Sequence, residues 1–102
     1  MARPRSELQL ILLAIPGVKQ VWFQPPDGTK LAYPCILYER DAQDVTYADN
    51  KPYFVDTRYT ITVIDRDPDS LIPSMVAALP LCSFNRFYTA ADLNHDVYTL
   101  YF

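Results

Sequence analysis

One histidine, two cysteines and two glycines are all that this sequence offers to the commonest catalytic and cofactor-binding motifs. His95 sits between Asn94 and Asp96. A histidine base needs a serine, threonine or cysteine nucleophile within hydrogen-bond reach, and no spacing in the chain names one. Asn94-His95-Asp96 therefore reads as turn chemistry. Cys35 and Cys82 each lie in an apolar run (Tyr-Pro-Cys-Ile-Leu and Leu-Pro-Leu-Cys-Ser-Phe). Zinc sites built on cysteine and histidine use closely spaced pairs, which Cys35, Cys82 and His95 do not form. Asp65-x-Asp67-x-Asp69 has the opening of a calcium loop, but the sixth and twelfth positions, glycine and glutamate in such loops, hold Ser70 and Val76. An acidic turn ahead of a helix explains the same residues, because carboxylates favour helix N-termini. Glu39, Asp41 and Asp44 could pair as acid and base, yet they fall on a polar strand segment whose simplest reading is a solvated face. With only Gly17 and Gly28 the chain has no phosphate-cradling loop. The expectation is a protein without catalytic, cofactor or metal residues. A small metal-dependent hydrolase or nuclease using Glu39, Asp65 and Asp67 is the enzymatic alternative.

Composition narrows the class. The chain has 102 residues, half of them hydrophobic and 14% aromatic, and a net charge of −3. That is too apolar for a disordered chain and the right size for a single domain over residues 1–102. No basic stripe is available to neutralise phosphates, since Arg3 and Arg5 form the one basic cluster, so nucleic-acid binding is not expected. No apolar stretch approaches the ~20 residues that cross a membrane. The apolar run at 8–15 lacks a small-residue cleavage site and reads as an amphipathic helix, not a signal peptide. The cysteines are then expected to be reduced and the location cytoplasmic.

The elements that must position these residues follow from periodicity. Residues 6–15 read as a helix, with Ser6 as N-cap, Leu8, Ile11, Leu12 and Ile15 on one face, and Pro16-Gly17 as its stop. Residues 18–23 form a short strand, and Pro25-Pro26-Asp27-Gly28 a turn. Residues 33–47 form a long strand that begins apolar and turns polar. Residues 53–65 show the clearest alternation, with Val55, Thr57, Tyr59, Ile61 and Val63 sharing a face. These two strands form a long hairpin, expected to project with an exposed tip near Asp49-Asn50. Asp69 or Ser70 caps a second helix, with Pro73 in its first turn, Leu71, Met75, Val76 and Leu79 toward the core, and Pro80 as its stop. Strands at 81–89 and 95–102 close the chain around a turn at 90–94. The predicted fold is α+β: an antiparallel sheet of four to five strands with two helices on one face.

Eight tyrosines, five phenylalanines and one tryptophan exceed what two short helices can cover. Aromatic residues are enriched at the centres of protein interfaces. Tyr33-Pro34-Cys35-Ile36-Leu37-Tyr38-Glu39-Arg40, the stretches 47–53 and 58–70, and 79–88 with 93–98 resemble small neck and tail-completion proteins of long-tailed bacteriophages, among them minor capsid and tail terminator proteins. The resemblance runs over roughly residues 10–102. It implies a structural virion protein: a hexameric ring that caps the tail tube and meets the head–tail connector, located in the virion neck and assembled in the host cytoplasm. Another connector or stopper of the neck is the alternative within that class. The residues expected at a subunit or neck interface are Tyr47, Asp49, Asn50, Lys51, Tyr53 and Phe54 of the hairpin, and Arg58, Arg66 and Asp67 as intersubunit ion-pair partners.

Overall fold

The computed structural model describes residues 4–48 and 51–102, and for 43–48 and 51–56 the backbone alone. Two helices and five strands follow in the order α1 (Arg5–Leu13), β1 (Gln20–Phe23), β2 (Cys35–Ala48), β3 (Lys51–Asp65), α2 (Ile72–Ala77), β4 (Cys82–Ala90) and β5 (Leu93–Tyr101). The strands form one sheet in the order β1-β2-β3-β5-β4.

The sheet is mixed, which corrects the antiparallel expectation. β1 pairs with β2 in parallel, Gln20 beside Cys35 and Phe23 beside Tyr38. The cause is the connection at 24–34. After Phe23 the chain does not reverse into a hairpin at Pro25-Pro26-Asp27-Gly28. It runs back along β1, so that the Pro34 carbonyl accepts from the Lys19 amide at 2.9 Å before β2 begins. The other pairings are antiparallel, and the last strand, β5, lies inside the sheet between β3 and β4.

Alternation decides what each face buries. Ile36 and Tyr38 of β2, Tyr59, Ile61 and Val63 of β3, and Tyr98 and Leu100 of β5 are register neighbours. They join Leu8, Leu12 and Ile15 and the α2 residues Ile72 and Val76 in the main core. Positions of opposite parity, Cys35, Ile64 and Leu93, form a smaller cluster packed by Leu31, Tyr33 and Leu37. Burial on both faces explains why residues 35–38 are continuously apolar. A side chain such as Leu8 or Leu12, fully buried, contributes on the order of 2–3 kcal/mol. The buried Tyr38 hydroxyl is satisfied: it donates to Gln9 Oε1 and accepts from Arg5.

Both helix caps differ from expectation. Pro4, already extended at φ −60°, is the N-cap of α1, so Ser6 lies within the first turn. In α2 the N-cap is Leu71, and Ser70 works from one position further out, its Oγ accepting from the Ile72 amide at 3.3 Å. This shift rotates the short helix: Ile72 and Val76 face inward, while Leu71 and Met75 are exposed. The final turn is Ala91-Asp92, shorter than the predicted five residues, with Ala90 opposite Leu93. Both turn residues have positive φ, 51° and 61°, which matches the twist of a two-residue hairpin.

Candidate functional site

The residues singled out for chemistry do not converge. Cys35 is a free, buried thiol; burial, aided by the Asp65 charge, pushes its pKa up to about 11. At neutral pH it is a protonated core group and not a nucleophile. Cys82 is also free, and burial raises its pKa as well. His95 stacks on Tyr88, ring centroids 4.6 Å apart, and its Nδ1 lies 3.2 Å from the Leu93 carbonyl. Asp65 and Asp67 each accept a hydrogen bond from the amide two residues ahead, at 3.0 and 2.9 Å, so their carboxylates serve the turn into α2. Glu39 is in register with Thr60, five strand positions or roughly 17 Å from Asp65. Among the described residues, no group of three or more His, Cys, Asp or Glu is placed to hold a metal ion. Among them too, no helix is long and apolar enough to cross a membrane.

The predicted interface residues divide. Asp49 and Asn50 lie outside the described residues. Tyr47, Lys51, Tyr53 and Phe54 belong to β2 and β3, in the stretch described by backbone alone. Arg58 is engaged within its own chain: its Nε lies 2.6 Å from Asp41 Oδ1, and Asp41 also accepts from Thr60. Burial pushes the Asp41 carboxyl up, but the Arg58 and Thr60 hydrogen bonds and the Arg58 charge outweigh it and hold the pKa below its ordinary value. Arg66 and Asp67 are exposed beyond the other end of β3, with the Arg66 guanidinium over the Tyr33 ring at 5.6 Å. Arg58 and Asp65 are seven strand residues apart, roughly 23 Å, so Arg58 does not share a site with Arg66 and Asp67.

Exposed apolar side chains concentrate in one stretch of the chain. Of the eight large hydrophobic side chains exposed among the described residues, six fall at 71–88: Leu71, Met75, Leu81, Phe84, Phe87 and Tyr88. The segment runs from α2 into β4, an edge strand in which every residue after Cys82 is exposed. Phe84 is 59% and Phe87 53% exposed, too much for core packing to explain. Leu81, at the entrance to β4, is 74% exposed and has φ +60°. A left-handed conformation costs a bulky side chain roughly 1–2 kcal/mol. The exposed leucine held there gains no burial in return.

Sequence reasoning noted the aromatic crowding at 84–102 but not its division. Tyr98 is buried, whereas Phe84, Phe87 and Tyr88 are exposed. The available signal was the absence of two-residue alternation in Ser-Phe-Asn-Arg-Phe-Tyr-Thr, which a half-buried strand would show. A register shift between Phe84 and Arg86 breaks the alternation in the structure as well.

No protein-family model matches the chain, and the comparison with curated proteins returns no match.

Proposed function

We propose that this protein is a structural assembly protein of a phage neck, a tail terminator whose ring caps the tail tube and joins it to the head connector. The observation that carries the reading is the exposed apolar segment from Leu71 to Tyr88, which ends in an edge strand with aromatic side chains. Exposed patches of this kind mark contact with other proteins. The stretches that resemble phage neck proteins include most of this segment, which supports the choice of partner class. The dispersal of the reactive side chains supports a structural role over a catalytic one.

Two finer features belong to the proposal. Both helices cover the same face of the sheet, a reading supported by their shared core with Tyr38, Ile61 and Leu100. The β2–β3 hairpin projects as an arm beyond the rest of the sheet. Its support is that β5 stops at Tyr101, opposite Arg58, and that the molecule measures 51 × 27 × 24 Å. A protomer with an arm and a separate apolar edge has two unlike surfaces, as a closed ring with heterologous contacts requires.

Electron microscopy of particles assembled without the protein tests the role. Overlong tails are expected. Full heads without tails would transfer the protein to the connector or stopper position, and normal virions would remove it from the neck altogether.

A further inference from the structure

The sheet leaves two stretches of edge open, and together they name a contact. Along β4 the outward backbone groups can be identified. The two-residue turn makes Ala90 and Leu93 a hydrogen-bonded pair, so by alternation Phe87 and Thr89 turn their N–H and C=O groups away from β5. At the other end the Tyr101 amide donates to the Leu81 carbonyl at 3.2 Å, which makes Cys82–Leu100 a pair of the non-bonded kind and turns Phe84 outward as well. Natural edge strands are blunted by proline, charged residues (lysine above all), bulges or short length; β4 has one bulge, between Phe84 and Arg86. β4 has nine residues, no proline and no lysine, and Arg86 is its one charge.

A second open edge exists in the same chain. β1 covers β2 at 35–38, and the Gln24 side chain reaches the Arg40 amide at 3.3 Å. β2 continues for eight more residues to Ala48 with β3 as its partner on one side only among the described residues. Residues 42–48 contain no proline, and the hairpin segment 41–56 holds four aspartates (Asp41, Asp44, Asp49, Asp56) against one lysine, Lys51. Asp44 and Asp56 are register partners.

We infer that β4 is a strand-addition site, and that its occupant is the distal half of β2, residues 42–48, from a second copy of this chain. The seven residues 42–48 fit within the nine of β4, the acidic arm meets the strand that carries Arg86, and Phe84 and Phe87 lose water on contact. Because the surfaces are different, the contact is heterologous and propagates around a ring. The inference rests on the assembly reading above and specifies its contact.

Hydrogen exchange with mass spectrometry on the assembled and monomeric chain tests it, with Thr89→Pro, Arg86→Glu and Asp44→Lys as variants. Amides of Phe84, Phe87 and Thr89 are expected to exchange rapidly in the monomer and at least tenfold more slowly in the assembly. Thr89→Pro removes an outward amide without touching the β5 ladder, so it should abolish assembly while the melting temperature of the monomer holds. Phe87→Lys is the second block if the proline unfolds the hairpin. Arg86→Glu and Asp44→Lys should each weaken assembly, and their combination should restore it. An oligomer that forms with these amides unprotected overturns strand addition and leaves the assembly reading standing. Intact oligomers of Thr89→Pro and Phe87→Lys that no longer join tail tubes would assign the edge to a different protein and overturn self-pairing. A chain that forms no oligomer, alone or on tails, overturns both readings.

Discussion

β1 and β4 are the two outer strands of one sheet, and they are finished in opposite ways. β1 has four residues, lies against α1, and is followed closely by Pro25 and Pro26. Its Val21 carbonyl accepts a hydrogen bond from Gln9 Nε2 of α1 at 3.0 Å. The same Gln9 accepts from the Tyr38 hydroxyl, so one side chain ties the helix to both the edge strand and the core. β4 has nine residues and aromatic side chains in water, and among the described residues no helix side chain bonds to its outer backbone groups. An edge closed by its own chain contributes to the stability of the monomer. An edge left open contributes little to it and is available to a neighbour.

That contrast can be broken by mutation. The largest effect is expected at the closed end. Leu12→Ala, beneath α1 and fully buried, should lower unfolding free energy by about 2–5 kcal/mol in urea titration. Phe87→Ala at the open edge should change it by no more than about 0.5 kcal/mol. A β4 substitution as costly as Leu12→Ala would mean that the monomer already uses this edge.

Next in size, Gln9→Ala should destabilise by about 1–3 kcal/mol, because it leaves the Val21 carbonyl and the Tyr38 hydroxyl each short of a partner. The loss should be accompanied by faster amide exchange in β1 and not in β4. A smaller effect of opposite sign is expected at the β4–β5 turn. Ala91 and Asp92 hold positive φ, which asparagine and glycine adopt more readily, so Ala91→Asn with Asp92→Gly should stabilise by about 1 kcal/mol. No change in the melting temperature would show that the turn is not strained.

The last prediction concerns pH. Asp41 has a pKa held below its ordinary 3.8, so its contribution to stability is present above that value and is lost as pH falls through the folded pKa. Asp96, in register with Phe87, has a pKa raised by burial, with the neighbouring His95 charge opposing. Its contribution is present below the unfolded pKa and is lost as pH rises through the folded one. Asp41→Asn should therefore lower the melting temperature at neutral pH and have little effect in strong acid. Asp96→Asn should raise it at neutral pH. Thermal melts at pH 3 and pH 7 separate the two, and equal shifts at both values would count against either assignment.

Much of this was legible in the amino-acid order. The alternation from Tyr59 to Val63 located a strand and its buried side, and Tyr59, Ile61 and Val63 are core residues. Leu8 and Leu12 were identifiable as the inner face of a helix from their i, i+4 spacing, and Ile15, expected on the same face, packs in the same core from just beyond the end of α1.

Other features depended on long-range pairing. The direction of β1 could not be read from Pro25-Pro26-Asp27-Gly28, because a turn signal locates a bend and not the strand that the chain meets afterwards. Of the residues expected to turn inward from α2, Val76 is buried and Leu79 packs against the core, while Leu71 and Met75 are exposed and Ile72 is buried instead, because side-chain direction in a helix changes by about 100° per residue.

The sequence by itself therefore determined the strands, the helices and the main core, because each of these is written in local periodicity and residue type. Only the tertiary structure decided which strands lie at the edges, that Gln9 closes one of them, and that Phe84 and Phe87 stand in water on the other. The physical reason is that a strand's own residues fix its two faces, while its two edges are fixed by whatever pairs beside it. For β4 that means β5 on one side and, on the other, a row of backbone donors and acceptors that no strand among the described residues pairs with.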